Sequence, residues 1–213
     1  VHIGGSTGLD YFRPMDASYE AKNVIVAGNR FVGGEAQIAW VTCQHSHVHH
    51  NIFYFPGKWL GRILQETKDR RFEPSQLGLF EDNLIVTDGR VGSYVNVGFG
   101  TQPSTFGFRH NAWHRKAENK KPSLPTREID GVYGIDPQLV DAGTPTMRIS
   151  AQQPQLQSIG PDAYKPWTSA GDFADVSVPP PEWIPPPQAW GLRGKKLTYA
   201  LLAVIAVAAI LVK

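Results

Sequence analysis

A short pattern of apolar and polar positions recurs four times in the first half of the chain. Each copy reads apolar, two variable residues, Asn, one variable residue, apolar. The copies are centred on Asn29, Asn51, Asn83 and Asn111, so successive copies lie 22, 32 and 28 residues apart. A unit of this length cannot bury its apolar face alone, and the repeat therefore predicts a stack of supersecondary units.

The repeated Asn is predicted to lie at one corner of the stack. Asn tolerates left-handed backbone geometry, and its side-chain amide can hydrogen-bond to neighbouring backbone groups. At the same corner of successive coils, the four Asn side chains can bond to one another as a ladder. The apolar residues three positions earlier are expected to point inward and to stack in line; they are Val26, Val48, Phe80 and Phe108. These features together predict an all-β chain folded as a right-handed parallel β-helix.

The hydropathy pattern divides the chain into three regions. The β-helix is predicted over residues 1–163, and its closing coil is expected between Asp136 and Asp162. Residues 164–194 form a Pro-rich linker, in which two triple-proline runs favour an extended polyproline II spacer. A PxxP ligand for a partner domain is the alternative interpretation of that linker. Residues 195–213 are predicted to form one hydrophobic helix.

The C-terminal helix is predicted to anchor the protein in a membrane. The sixteen residues from Leu197 to Val212 carry no charge. They span roughly 24 Å as a helix, short of the ~30 Å hydrocarbon core, and snorkelling of Lys196 and Lys213 can close the gap. A buried core helix is the alternative. The Lys and Arg residues before the span favour a cytoplasmic β-helix by the positive-inside rule. This conflicts with the extracytoplasmic location, at the cell surface or in the periplasm, that we expect for the β-helix.

Composition narrows the possible partners. The net charge is +2, and no basic stripe with interleaved aromatic residues is present, which argues against nucleic-acid binding. Cys43 is the single cysteine, so an internal disulfide framework is excluded. The chain begins at Val1, without Met and partway into a repeat-like phrase, and we expect it to be an N-terminally truncated fragment.

Several phrases resemble right-handed parallel β-helix repeat proteins of bacteria, over about residues 1–163. They are Ile3-Gly-Gly-Ser-Thr-Gly8, Tyr11-Phe-Arg-Pro14, Tyr54-x-Pro56-x-Lys58-Trp59, Arg62-Ile-Leu-Gln-Glu66, Asp82-Asn-Leu-Ile-Val86 and Asp136-Pro137. The closest likeness is to the C-terminal portion of uncharacterised secreted members of the pectate-lyase-like superfamily. The resemblance implies the fold and a range of functions, from polysaccharide cleavage to tail-spike-like binding and surface roles. The cluster of Ca²⁺-binding carboxylates usual in the lyases is not evident.

Four histidines follow Cys43 closely. If Val48 points into the core, His45, His47 and His49 lie on the outer face, about 6.6 Å apart from one to the next. Imidazoles at that spacing can converge on Zn²⁺, and one of them could serve as a general acid or base. A solvated, slightly basic strand face is the simpler interpretation. We expect no cofactor, and we expect these three histidines not to hold a metal on their own.

A second group of candidate residues comprises Lys58, Trp59, Arg62 and Glu66. If residues 60–66 form a helical turn, Arg62 and Glu66 make a local i, i+4 ion pair. Alternatively, the cations bind the carboxylate or sulfate of an anionic sugar while the Trp59 ring stacks on a pyranose face. The charged residues that follow suggest an inserted loop on a binding face.

These patterns favour a membrane-tethered β-helix that binds polysaccharide or another cell-surface component. The alternative is a polysaccharide lyase or glycoside hydrolase that acts on an anionic glycan. Hydrolysis would need two carboxylates about 5–5.5 or 6.5–9.5 Å apart, and no motif selects a pair.

Overall fold

The computed structural model describes residues 1–116 and 120–165. Within them the chain forms fifteen strands and three single-turn 3₁₀ helices (Leu9–Tyr11, Pro103–Thr105 and Pro154–Leu156). The strands are β1 His2–Gly4, β2 Ala21–Lys22, β3 Ile25–Ala27, β4 Arg30–Val32, β5 Ala36–Val41, β6 Cys43–His49, β7 Ile52–Tyr54, β8 Trp59–Leu64, β9 Gln76–Glu81, β10 Leu84–Thr87, β11 Val95–Val97, β12 Gly107–Arg109, β13 Ala112–Arg115, β14 Glu128–Ile129 and β15 Val132–Tyr133.

The strands form three parallel sheets that the chain visits in turn. The first sheet has the order β1-β5-β8-β11, and the third has the order β15-β13-β10-β7-β4. The second has the order β14-β12-β9-β6-β2, and β3 also pairs with β6. Each strand therefore pairs with the strand reached one passage later, and we call one passage through the three sheets a coil. The prediction of an all-β chain with parallel strands is confirmed, and the pairing is compatible with a β-helix.

The predicted hydrophobic tail lies outside the described residues, as does nearly all of the Pro-rich linker. The helix predicted over residues 195–213 therefore stays a prediction. In the part of the chain that the structure describes, no helix is long and apolar enough to cross a bilayer.

The core lies between the three sheets and is built from aligned side chains. Val26 pairs with Val48, Val48 with Phe80, and Phe80 with Phe108, and all four side chains are buried. On the third sheet, Phe31 stacks on Phe53 with ring centroids 4.8 Å apart. Apolar residues thus stack on like residues from coil to coil, and this burial stabilises units that are too short to fold alone.

The four repeated Asn residues form a continuous chain of hydrogen bonds along one corner. The backbone N–H and the Nδ2 of Asn29 both donate to Oδ1 of Asn51, at 2.9 and 3.0 Å. Asn51 donates in the same way to Asn83, and Asn83 to Asn111. Asn51, Asn83 and Asn111 are fully buried, so these bonds satisfy polar groups that water cannot reach.

The left-handed geometry of this corner belongs to the residue before each Asn and, in the fifth coil, to the residue before Gly131. The φ angles of these residues lie between 50° and 71°; the residues are Gly28, His50, Asp82, His110 and Asp130. The repeated Asn residues are not among the residues of positive φ. The Asn side chain therefore bridges the coils while its neighbour turns the chain.

Glu128 ends the Asn ladder in the fifth coil. It pairs with Phe108 and so takes the place of an inward apolar residue. Its Oε1 accepts the backbone N–H of Asn111 at 3.0 Å and Nδ2 of Asn111 at 3.1 Å. Gly131 stands where the next Asn would be, and a Cβ there would lie 2.5 Å from Cγ of Glu128. Glu128 and Gly131 together replace the apolar residue and the Asn of the earlier coils.

From β15 to residue 165, the chain covers the third sheet and adds no further strand to it. Met147, Leu156 and Ile159 pack on outward-facing residues of that sheet, which include Ile52 and Leu84. An ion pair of 2.7 Å between Arg30 and Asp162 holds the segment at the edge of the sheet. The expectation of a closing coil between Asp136 and Asp162 is therefore wrong, because this apolar segment covers the outer face of the sheet.

Candidate functional site

Two columns of charged side chains run along the second sheet beside the Asn ladder. The outward-facing column consists of Ala27, His49, Glu81, Arg109 and Ile129, which pair in this order. The neighbouring corner column consists of the left-handed residues Gly28, His50, Asp82, His110 and Asp130. Basic and acidic residue types alternate from His49 to Arg109 in the first column and from His50 to Asp130 in the second. The coils thus bring together groups that are about thirty residues apart in sequence.

Glu81 is the centre of the outward-facing column. It is 8% exposed, and its Oε1 lies 2.6 Å from Nε2 of His47. Arg109 donates from Nε to the other carboxylate oxygen. Burial alone would raise the pKa of Glu81, but the hydrogen bonds from His47 and Arg109 outweigh it and lower the pKa to about 2. Glu81 is therefore ionised throughout the physiological range.

His49 is held as a neutral imidazole. Burial, followed by the nearby His47 and His50, lowers the pKa of His49 to about 3, against an opposing effect of Glu81. Its ring stacks on that of His47 with centroids 4.1 Å apart, and its Nδ1 lies 2.8 Å from Nδ1 of His50. Burial is also the main cause of a lowered pKa at His50. The His49 imidazole is therefore packed and uncharged, with His50 beside it.

Asp82 and His110 form a dyad in the corner column. Nδ1 of His110 donates to Oδ1 of Asp82, while the second carboxylate oxygen lies 3.9 Å from Nε2 of His50. The His110 side chain is 40% exposed. A carboxylate that accepts from Nδ1 orients the ring and leaves Nε2 as a proton acceptor, which is the arrangement a general base requires.

Tyr164 closes the N-terminal end of the two columns. Its ring meets those of His49 and His50, with centroids 5.6 and 6.2 Å away. It also packs so closely on Gly28 that a Cβ there would lie 2.6 Å from a Tyr164 ring carbon. The accessible end of the columns is therefore the C-terminal one, where Arg109 and His110 lie.

The histidines predicted as weak metal candidates are distributed among different partners. His47 contacts Glu81, whereas His49 contacts His50 and Tyr164. His45 has a φ of 50°, and burial, followed by Lys22, lowers its pKa. Among the described residues no group of three or more His, Cys, Asp or Glu side chains could hold a metal ion. The absence of a metal in the protein itself stays a prediction.

Cys43 is buried and lies 3.8 Å from the hydroxyl of Ser75. Burial raises the pKa of the thiol to about 11, although the contacts with Ser75 and the backbone of Val41 oppose the shift. Since the thiolate is the reactive form, Cys43 is an inert core residue.

The second predicted group lies on the first sheet, apart from the two columns. Lys58 Nζ lies 4.1 Å from the Trp59 ring centroid, and the Arg62 guanidinium carbon lies 5.0 Å from it. Trp59 and Arg62 belong to strand β8, so the alternative of a helical turn over residues 60–66 is wrong. Arg62 donates to Asn96 across the sheet at 3.4 Å. In residues 1–116 and 120–165 Arg62 forms no ion pair with Glu66 or another carboxylate.

The inserted loop after β8 packs on the N-terminal segment. Phe72 meets Phe12 edge-on with ring centroids 5.0 Å apart, and the Arg71 guanidinium lies over both rings. The Thr67 hydroxyl donates to Glu20 at 2.5 Å. These contacts give the loop a structural role. The remaining candidates for saccharide binding are Lys58, Trp59 and Arg62, which lie on β8 or beside it.

Comparison with known protein families, with curated proteins and with solved structures found no match to this chain.

The sequence pattern did not link the carboxylates of Glu81 and Asp82 to the basic residues beside them. Glu81, Asp82, Arg109 and His110 occupy the two variable positions between the apolar residue and the Asn. Aligning the four copies reveals the alternation of base and acid at these positions. That alignment was the available signal, because equivalent positions in a stack become neighbours.

Proposed function

We propose that the chain is a right-handed parallel β-helix protein that binds an anionic polysaccharide outside the cytoplasm. In this proposal the segment from Leu197 to Val212, which carries no charged residue, tethers the protein to a membrane. The observation that supports glycan binding is the pair of cations, Lys58 and Arg62, held on the ring of Trp59. Parallel strands extend this outer face in both directions, as a polymeric ligand requires.

The cations of this face are available to a ligand. Lys58 has Glu35 as an ion-pair partner at 3.7 Å, but the two side chains are 59% and 70% exposed. An exposed pair of this kind contributes little, so a ligand carboxylate can replace Glu35. Arg62 offers planar donors suited to a carboxylate, and displacement of Lys58 uncovers the Trp59 ring for stacking on a sugar.

Replacing Trp59 by Ala is expected to weaken binding to a polyuronate about tenfold or more. The change removes the stacking surface together with the cation–π contacts that position Lys58 and Arg62. Affinity is measured by titration calorimetry against polygalacturonate, with neutral dextran as the comparison ligand.

Lys22→Gln is the matched control, because Lys22 lies 5.5 Å from the Tyr19 ring in a similar exposed cation–π pair. It should bind polyuronate like the unmodified protein. Polyuronate affinity that is unchanged in Trp59→Ala, or equal affinity for dextran, would contradict the proposal.

A second candidate function is cleavage of a polyuronate, and the Asp82–His110 dyad favours it. In this proposal Nε2 of His110 removes the proton α to the uronate carboxylate. A carbon–carbon double bond forms as the glycosidic carbon–oxygen bond breaks, and the leaving oxygen takes a proton from water. In this step Asp82 orients the imidazole ring of His110, which accepts the proton.

His110→Ala is expected to lower any cleavage rate at least about a hundredfold, the usual contribution of a general base. The ultraviolet absorbance of the unsaturated product follows the reaction. His2→Ala, at an exposed histidine of β1, is the control and should leave the rate unchanged. Undiminished cleavage by His110→Ala, or no cleavage of any polyuronate by the unmodified protein, excludes this function for the dyad.

A further inference from the structure

A cavity of about 620 Å³ lies at the C-terminal end of the stack. Its walls are the segment from Lys121 to Arg127 and the turn between β14 and β15. The volume falls within the range of small-molecule sites, which is about 300–1,000 Å³. The cavity is separate from the Trp59 face, which lies on the first sheet.

Glu128, whose carboxyl ends the Asn ladder, is one of the residues that line the cavity. Three donors face this carboxyl: the backbone N–H and the side-chain amide of Asn111, and Nε1 of Trp113 at 3.2 Å. Burial raises the pKa of Glu128 to about 7, although these donors and the nearby His110 oppose the shift. The carboxyl can thus exchange a proton near neutral pH.

The other charged groups of the cavity are two cations and one carboxylate. Lys121 Nζ lies 4.6 Å from the Tyr133 ring centroid, Arg127 is exposed, and Asp130 lies at the end of the corner column. When Glu128 is protonated, the cations outnumber the anions and the lining favours an anionic ligand. When Glu128 is ionised, the charges balance and this preference is lost.

We propose that this cavity binds the carboxylate of an acidic saccharide unit and that Glu128 takes up a proton when the ligand binds. Lys121 and Arg127 supply the cations for the carboxylate, and Tyr133 supplies an aromatic surface for the sugar. The choice of a saccharide rests on the proposed function, whereas the preference for a carboxylate follows from the cavity alone. The site is an addition to the Trp59 face, because its residues are different.

The protonation of Glu128 is linked to ligand binding and sets the pH dependence of glucuronate affinity. The free carboxyl of Glu128 is protonated below a pKa of about 7, and a bound anion raises that pKa further. Binding of glucuronate should therefore be about tenfold tighter at pH 6 than at pH 8. Near pH 7 it should be accompanied by proton uptake.

The experiment is titration calorimetry of the full chain with glucuronate, in buffers of different ionisation enthalpy. Glucose and acetate are the comparison ligands, and both should bind more weakly, because each offers only one of the two recognised groups. Glu128→Gln should bind equally well at pH 6 and pH 8, without proton uptake. Failure of glucuronate to bind at pH 6, or proton uptake that persists in Glu128→Gln, would overturn the proposal.

Two further variants keep the test decisive if Glu128→Gln does not fold. Lys121→Gln with Arg127→Gln changes only exposed side chains and should reduce glucuronate affinity tenfold or more. Lys22→Gln, at an exposed cation outside both proposed sites, should leave glucuronate binding intact. Full glucuronate affinity in the double variant overturns the cavity proposal alone, whereas full polyuronate affinity in Trp59→Ala overturns only the proposed binding face.

Discussion

Replacing Asn51 by Ala should lower the free energy of unfolding by about 4 kcal/mol. The Asn51 amide donates to the carbonyl oxygens of Val26 and His49 and to Oδ1 of Asn83, and its own Oδ1 accepts two bonds from Asn29. Alanine leaves several of these groups buried without a partner, and each such group costs about 1–3 kcal/mol. Urea denaturation followed by circular dichroism measures the loss.

Asn29→Ala is the matched control for that experiment. Asn29 occupies the same corner but is exposed at the end of the ladder, where water can replace its lost bonds. Its substitution should cost about 1 kcal/mol. Equal losses in the two variants would show that the buried ladder contributes no more than a surface Asn does.

Replacing Glu81 by Gln should lower the free energy of unfolding by about 3 kcal/mol at pH 6. The pKa of Glu81 falls from an ordinary value of 4.5 to about 2 in the folded protein, and each pKa unit corresponds to about 1.4 kcal/mol. Glutamine keeps the shape of the side chain, but it has no charge to hold Arg109 and His47.

The pH dependence distinguishes this charge effect from a packing effect. Because the folded pKa lies below the unfolded one, the stabilisation is fully present above pH 4.5 and is lost as the pH falls towards 2. Urea denaturation at pH 6 and at pH 2.5 should show the two proteins converging in stability. A difference of the same size at both pH values would mean that the loss comes from packing alone.

Asp130 connects the corner column with the cavity at the end of the stack. It follows His110 in the column and also lines the cavity, so the accessible end of the column adjoins the cavity. At the opposite end Tyr164 covers His49 and His50. The two columns are thus closed at one end and accessible at the other, beside the carboxyl groups of Glu128 and Asp130.

The sequence was sufficient to place the corner and the inward-facing residues. The pattern of apolar and polar positions around Asn51 and Asn83 is local. When coils that share this pattern stack, equivalent positions pair, and the local pattern sets the register of the sheets. The aligned pairs Val48–Phe80 and Phe80–Phe108 follow from that pattern. The coil lengths differ, but the extra residues leave the sheets as loops, so the register is preserved.

The tertiary structure decided which outer faces are covered and which charges meet. The contact between Glu81 and His47 joins residues 34 positions apart. It forms because β6 and β9 pair and so bring these two outward-facing side chains together. Residues 59–64 form strand β8, and not the alternative helical turn, because β5 and β11 flank them on both sides and sheet pairing outweighs local helix preference. Likewise, the segment that ends in Tyr164 packs on the third sheet because that outer face is apolar. The sequence pattern shows that an apolar outer face exists, but only the folded chain shows which segment covers it.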